Sequence, residues 1–181
     1  MSQPSLPDKV VALNEALTRA KIDHAFGGAL ALAYYAEPRA TVDVDINVFV
    51  PPEEHEEVFA ALSPLGVQRP DDADRLTREG QSRWRWGPNP VDLFFANDPI
   101  HAAMKRDVRK VPFGDVRIPI LSPEHLVVCK VLFDRPKDWL DIEQILITEV
   151  ELDLGEVEGW LEKALGPGDS RRERMDELIE R

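Results

Sequence analysis

The stretch FGGALALAYYAEPRATVDVDIN, residues 26–47, decides the fold of this chain. Its glycine pair, Gly27-Gly28, ends a short apolar run and opens a segment rich in Ala and Leu, which are good helix formers. Pro38 ends that segment, because the residue before a proline is biased away from helical geometry. Residues 41–50 then alternate polar and apolar side chains, with the period of two that is typical of a half-buried strand. The stretch therefore predicts a strand, a glycine turn, a helix and a second strand.

Two aspartates in the second predicted strand, Asp43 and Asp45, are two residues apart and therefore share a face. Their carboxylates repel each other, and Asp is depleted in strands. A bound Mg²⁺ ion explains the pair most simply, while a solvated face of an edge strand is the alternative. The glycine pair would let a phosphate approach the backbone and the N-terminus of the helix behind it, although a tight turn without a ligand needs the same glycines.

A third aspartate, Asp92, lies in the otherwise apolar predicted strand 91–95. A buried carboxylate without a partner is costly, so Asp92 needs either a shared metal or a salt bridge. Arg83 and Arg85 are available for a salt bridge across the predicted hairpin. We favour the metal, because Asp43 and Asp45 already form two-thirds of a carboxylate site.

Lys130 lies within an apolar helical segment and either reaches solvent or points into a polar site such as one for a triphosphate. Lys137 and Asp141 have the i,i+4 spacing of a surface ion pair. The alternation Arg83-Trp84-Arg85-Trp86 could stack on bases, but a half-buried strand with tryptophans inside is the simpler interpretation. The four histidines show no metal-ligand spacing.

Periodicity and turn residues predict the remaining elements. Helices are expected at 10–20, 29–36, 51 to about 62, 122 to about 133, 136 to about 148 and 170–181, with further helix in the acidic region beyond 149. Strands are expected at 22–26, 41–50, 82–86, 91–95, 108–111 and 116–120, and residues 71–79 are expected to form a polar loop. The order predicts a mixed α/β core over 1–121 and a helical segment over 122–181, packed as one domain.

The composition excludes several classes of function. The 181 residues include 34 acidic and 22 basic side chains, a net charge of −12, which disfavours nonspecific binding to long nucleic acids. A single cysteine, Cys129, excludes an internal disulfide and fits a reducing cytoplasm. The N-terminus shows no basic segment followed by an apolar run, so no secretory signal is expected. No apolar run approaches the roughly 20 residues that a membrane span needs.

Taken together, Gly27-Gly28, the pattern Arg39-x-Thr41-x-Asp43-x-Asp45 and the strand bearing Asp92 resemble the nucleotidyltransferase superfamily of DNA polymerase β. Within that superfamily the chain is most similar to the small AbiEii/MenT-like prokaryotic nucleotidyltransferases, many of them toxin–antitoxin components. Residues 124–141 resemble the helical segment that follows the core in that group. The resemblance covers residues 22–145.

The resemblance implies an α+β fold, a mixed sheet flanked by helices, and transfer of a nucleoside monophosphate from an NTP such as ATP to a hydroxyl. It implies that Asp43, Asp45 and Asp92 are catalytic and bind Mg²⁺ or Mn²⁺, with Asp92 also helping to activate the acceptor. The nucleotide-binding residues it implies are Gly27, Gly28, Arg39, Thr41, Lys130, Lys137 and Asp141. Where relatives often carry serine, Gly28 offers only its backbone.

Three functions stay open on the sequence. The first is an active enzyme whose acceptor is RNA such as a tRNA end, a protein, or a small molecule such as an aminoglycoside, with an antitoxin as partner. The second is a noncatalytic nucleotide-binding or regulatory module of the same fold. The third is a domain in which a metal is only structural. The three aspartates favour the enzyme.

Overall fold

The chain folds into helices around a sheet over the residues that the computed structural model describes, 4–148 and 151–180. The helices are α1 Leu6–Arg19, α2 Gly28–Leu32, α3 His55–Leu62, α4 Ala73–Glu79, α5 Ile100–Arg106, α6 Pro123–Phe133, α7 Pro136–Thr148, α8 Leu154–Leu165 and α9 Ser170–Ile179. The strands are β1 His24–Phe26, β2 Val44–Val48, β3 Gln81–Trp86, β4 Asn89–Phe95, β5 Arg109–Phe113 and β6 Val116–Ile120.

The six strands form one mixed sheet in the order β3-β4-β2-β1-β6-β5. Strand β2 lies near its middle, antiparallel to β1 and parallel to β4. Its apolar residues Val44, Ile46 and Val48 are fully buried, as the alternation predicts, while Asp45 on the other face is only partly covered. The predicted α+β class and mixed sheet are confirmed, and the polar face of β2 lies at the centre of the fold instead of at an edge.

The helical C-terminal part packs on the sheet through α6, which contacts α7, α8 and α9. Leu126 of α6, Val157 of α8 and Met175 of α9 belong to the same hydrophobic cluster as the strands. The core therefore continues from the sheet into the last helices. Over the described part of the chain, every helix is too short or too polar to cross a membrane.

The sequence predictions differ from the structure at two helices. Residues 71–79, expected as a loop, contain α4, which is anchored by buried Leu76 and ends at Gly80 in the left-handed conformation. One apolar residue gives too little periodicity to reveal such a helix, so its packing decides it. Helix α5 was not predicted either, although its buried Ile100, Ala103 and Met104 have helical spacing, because the helix is only 7 residues long. The predicted helix 170–181 corresponds to α9, and residues 149, 150 and 181 lie outside the described residues.

Candidate active site

Strand pairing places the predicted aspartates at neighbouring positions of the sheet, although their carboxylate oxygens do not all lie within 4.8 Å of one another. In the parallel pair of β2 and β4, Asp45 lies directly opposite Asp92. Asp43 precedes β2 by one residue, and Thr41 fixes its backbone, because the Asp43 N–H donates to the Thr41 hydroxyl at 3.1 Å. The three aspartates, which we call the carboxylate triad, thus come from two adjacent strands in the middle of the sheet.

The triad carries more negative charge than its surroundings neutralise. Burial, and then repulsion from Asp92 and Asp43, raises the pKa of Asp45 from 3.8 to about 6. Lys130 and Arg135 oppose the rise with their positive charges but do not outweigh it. A carboxylate that resists ionisation beside two others is where a divalent cation would be stabilised most.

Arg83 pairs with Asp92 across the hairpin of β3 and β4. Its Nε and Nη2 donate to the two carboxylate oxygens of Asp92, each at 2.7 Å, and Nη2 lies 3.9 Å from Asp43. The salt bridge weighed as the alternative to a metal is therefore present, and it lies next to Asp45. Because half of the Arg83 side chain is exposed, it can leave Asp92 without disrupting the core. Tryptophan Trp84, on the same strand, points inward and is fully buried, which confirms the half-buried strand.

The glycine pair brings the start of α2 against the triad. Gly28 has φ +52°, and a Cβ there would lie 1.8 Å from Asp45 Oδ2. The Gly27 N–H donates to the Asp45 carbonyl at 3.0 Å, which joins the turn to β2. Any side chain at position 28 would force Asp45 to shift, because its Cβ would also lie 2.5 Å from Asp45 Cγ. The glycine is required by the close approach, and this reason was not evident from the sequence.

Lys130 is buried behind the triad in a network of ion pairs. Its Nζ donates to Asp141 at 2.6 Å and lies 3.9 Å from Asp138. Arg39 donates to Asp141 through both Nε and Nη2, and Arg135 is paired with Asp138 at 2.6 Å. We call Arg39, Lys130, Arg135, Asp138 and Asp141 the lysine network. Burial raises the pKa of Asp141, but the hydrogen bonds from Arg39 and Lys130 outweigh burial and hold this pKa below its usual value.

The predicted surface pair of Lys137 and Asp141 is wrong, because Asp141 turns toward Lys130 and Arg39 while Lys137 is exposed. The i,i+4 spacing indicates that a pair is sterically allowed, but burial of Asp141 makes the internal partners more favourable.

Two cavities meet at Asp45. The larger, about 490 Å³, extends from the triad over α5, α6 and α8. Its lining includes Gly27, Gly28, Asp45, Asn47, Phe94, Ile100, Met104, Lys130, Phe133, Arg135, Trp160 and Lys163. The smaller, about 230 Å³, opens on the other side and is lined by Asp45, Arg75, Gln81, Ser82, Arg83, Asp92, Leu93, Phe94, Phe133 and Arg135. Asp45, Phe94, Phe133 and Arg135 form their common wall, where the two phenyl rings lie 5.6 Å apart.

Among the predicted nucleotide-binding residues, Gly27, Gly28 and Lys130 line the larger cavity. Arg39 and Asp141 lie behind Lys130 and hold it, while Thr41 and Lys137 lie outside both cavities as these are lined by the described residues. Asn47 was not predicted as a site residue, although it shares a strand face with Asp43 and Asp45. No local sequence signal indicates Trp160 and Lys163, which reach the cavity only because α8 packs on α6.

Cys129 also lines the larger cavity, but it is not a nucleophile. Burial raises the pKa of its thiol to about 12, so the thiolate is not populated near neutral pH.

Solved structures with this fold include antibiotic-modifying enzymes. ANT(2'')-Ia in complex with adenylyl-2''-tobramycin superposes with a TM-score of 0.62 and 14% identity, over 93% of this chain and 98% of that one. The lincosamide adenylyltransferase LnuA, bound to lincomycin, superposes with a TM-score of 0.56 and 14% identity, over 76% of this chain and 94% of that one. TM1012 of Thermotoga maritima, named a nucleotidyltransferase, superposes with a TM-score of 0.54 and 16% identity, over 81% of this chain and 96% of that one. These likenesses establish the fold.

Sequence comparison identifies the family. Proteins of curated function show no significant sequence match to this chain. The profile described as "Nucleotidyl transferase AbiEii toxin, Type IV TA system" matches residues 12–180, nearly the whole chain. With its sheet, glycine turn and paired strand aspartates, the chain is a nucleotidyltransferase and belongs to the AbiEii family of type IV toxin–antitoxin systems.

Proposed function

We propose that this protein transfers a nucleoside monophosphate from an NTP to a hydroxyl group in an Mg²⁺-dependent reaction. One observation carries the proposal. Asp45, with its pKa raised to about 6, lies opposite Asp92 and beside Asp43, and the Gly28 backbone leaves no room for a side chain against it.

The triad supplies the oxygen donors that a hard divalent cation prefers, and its carboxylates, whose oxygens are not all within 4.8 Å of one another, would converge on the ion. Carboxylate oxygens are the ligands of Mg²⁺ and Mn²⁺, and the site has three carboxylates with Arg83 as its nearest positive charge. Asp43, Asp45 and Asp92 would hold the metal. When bound, it would neutralise charge that develops on the reacting phosphoryl group.

The larger cavity would take the NTP. Its volume is within the usual range for small-molecule sites, and apolar side chains such as Phe94, Met104 and Trp160 suit a nucleobase. At the triad end, N–H groups at the start of α2 are free of helical partners and can donate to phosphate oxygens. Lys130 is held by Asp141 with its ammonium at the cavity wall, where it can donate to the triphosphate.

The smaller cavity would take the acceptor, because Asp92 lines this cavity and the phosphate-binding glycines line the other. The acceptor oxygen attacks the α-phosphorus, its proton passes to Asp92, and the bond from the α-phosphorus to pyrophosphate breaks. Asp92 must first release Arg83, whose guanidinium can then pair with a phosphate. Catalysis comes from positioning and charge neutralisation.

The lining of the smaller cavity favours a phosphate-bearing acceptor. Arg75, Arg83 and Arg135 line it and pair with Asp72, Asp92 and Asp138 respectively. If a metal took up the charge of Asp92, Arg83 would be free to pair with an RNA phosphate, and the three guanidinium groups would disfavour a cationic aminoglycoside. We therefore propose an RNA end as acceptor, despite the acidic total charge, and an antitoxin partner in the cytoplasm.

The test incubates the purified protein with each labelled NTP, Mg²⁺, and separately the RNA, protein and small-molecule fractions of a cell extract. We expect label in the RNA fraction, lost with Asp43→Ala and retained with Asp115→Asn, an exposed residue in the β5–β6 turn. Label in another fraction contradicts the RNA acceptor. No transfer from any NTP, or equal transfer by Asp43→Ala, contradicts the enzymatic function and leaves the noncatalytic module.

A further inference from the structure

A second cluster of potential ligands lies away from the triad, where three helices meet. Within the described part of the chain, Asp107, His125 and Glu156 have ligand atoms that all lie within 4.8 Å of one another. Asp107 follows the last residue of α5, His125 is in the first turn of α6, and Glu156 is in the first turn of α8. Sequence spacing could not reveal this set, because each ligand comes from a different element.

His125 gives the cluster a buried nitrogen without a hydrogen-bond partner. Its side chain is 0% exposed, and Nε2 lies 3.5 Å from Glu156 Oε1, outside good hydrogen-bond geometry. The other ring nitrogen, Nδ1, lies 3.0 Å from the Ser122 hydroxyl. In the tautomer in which Nδ1–H donates to that hydroxyl, the Nε2 lone pair points at the two carboxylates. A buried lone pair facing carboxylates is unfavourable unless a proton or a metal cation lies between them.

The surrounding charge agrees with a cation at this position. The two carboxylates are balanced by Arg106, which donates to Asp107 and lies 3.5 Å from Glu156. Two-thirds of the Arg106 side chain is exposed, so it can move into solvent when a divalent ion replaces its charge.

We propose that Asp107, His125 and Glu156 form a second metal site, for a borderline divalent ion such as Zn²⁺. One imidazole nitrogen and two carboxylate oxygens are a ligand set that Zn²⁺ accepts, at about 2.0–2.2 Å from each ligand. Tetrahedral ligands at these distances lie about 3.4 Å apart. His125 Nε2 and Glu156 Oε1 are already 3.5 Å apart, and the Asp107 oxygen, within 4.8 Å of both, would move closer by up to about 1.4 Å. The Ser122 hydroxyl acts as the outer partner that orients the imidazole.

The site would join α8 to α5 and α6. These helices also supply Met104, Trp160 and Lys163 to the larger cavity. A metal here therefore stabilises a wall of that cavity without touching the triad, and its role is structural.

The test measures Zn²⁺ binding to the full, tag-free chain by competition with a chelating dye, in an Asp45→Asn background that weakens binding at the triad. We expect one bound Zn²⁺ per chain and a rise in the melting temperature. Adding Glu156→Gln should weaken binding at least about tenfold, since changes to outer partners alone cost about 10- to 100-fold. Glu158→Gln, on the exposed side of the same helix, removes the same charge and should change nothing.

NMR of the histidine rings localises the ion. One equivalent of Zn²⁺ should shift the His125 ring signals and leave those of His24, His55 and His101 in place. Because His125→Gln could unfold the protein, Asp107→Asn serves as the second variant and should also weaken binding. Equal Zn²⁺ affinity of the Glu156→Gln and Glu158→Gln chains, or unshifted His125 signals, overturns the proposal.

Discussion

The carboxylate triad and the lysine network lie side by side but are balanced differently. In the network, Asp141 is paired with Lys130 and Arg39, and its pKa is lowered despite burial. In the triad, Asp45 is surrounded by like charges, and its pKa is raised. The charges of the network are paired with one another and hold Lys130 in place, whereas Asp45 of the triad is surrounded by an excess of negative charge. We therefore expect the network to position side chains and the triad to bind a cation.

Removing the charge of Asp45 should produce the largest effect. We expect Asp45→Asn to lower nucleotidyl transfer about 10³-fold, because the site loses a central ligand. In EDTA at pH 8, the same change should raise the free energy of unfolding by about 1–3 kcal/mol, since ionised Asp45 destabilises the fold. Activity assays and urea denaturation measure the two effects, with Asp115→Asn as control. A less stable Asp45→Asn chain would show that neighbouring positive side chains already neutralise the negative charge of the triad.

The stability gain should depend on pH with a defined sign. The folded pKa of Asp45 is about 6 and the unfolded value is 3.8, so the folded chain binds more protons between these values. The wild type should therefore lose stability relative to Asp45→Asn as pH rises from 4 to 6, and the difference should be constant above about 7. Urea denaturation in EDTA across this range measures it. A flat difference would contradict the raised pKa.

Breaking the lysine network should mainly reduce stability. Asp141→Asn leaves Lys130 buried with Asp138 at 3.9 Å as its remaining carboxylate, and we expect a loss of about 3 kcal/mol. Lys137→Met, on the exposed side of the same helix, should stay within about 0.5 kcal/mol. Chemical denaturation of both variants measures the contrast. Similar changes in the free energy of unfolding for both variants would show that the network contributes no more stability than an ordinary surface ion pair.

Adding one methyl group at Gly28 should disturb the triad directly. A Cβ would lie 1.8 Å from Asp45 Oδ2, so we expect Gly28→Ala to cost about 2 kcal/mol of stability and to impair transfer. Gly114, with φ +57° and open space around it, is the matched control. Gly114→Ala has the same backbone strain without the clash and should keep full activity. Equal losses at both glycines would show that backbone strain alone matters.

Removing the positive charge of Arg83, which pairs with Asp92, should have the smallest effect. We expect Arg83→Gln to tighten the apparent Mg²⁺ affinity severalfold in an ATP-independent binding assay, because Arg83 competes for the Asp92 carboxylate. Stability should change by less than about 1 kcal/mol, since Arg83 is half exposed. Arg85→Gln, two residues along the same strand and opposite Pro90, is the control. Weaker Mg²⁺ binding by Arg83→Gln would assign the arginine to the metal site itself.

How far the sequence predicted each element depended on how local its signal was. Strands β2 and β4 and helices α6 and α7 were predicted because alternation, caps and prolines act within a few residues. Helix α4 was taken as a loop because one buried residue, Leu76, anchors it, and α5 was missed because it is only 7 residues long. The functions of Arg39, Thr41, Lys137 and the other site residues remain predictions, as does the division of the chain at residue 121.

By itself the sequence determined which residues share a face of a strand, where the glycine turn lies and which three aspartates are candidates for a shared cation, because period and charge are local properties. Only the tertiary structure decided what each charge meets. Strand register set Asp92 between Asp45 and Arg83, helix packing turned Asp141 from Lys137 to Lys130, and a close approach of 1.8 Å made Gly28 necessary. These outcomes depend on burial and on contacts between residues far apart in the chain, which spacing does not encode.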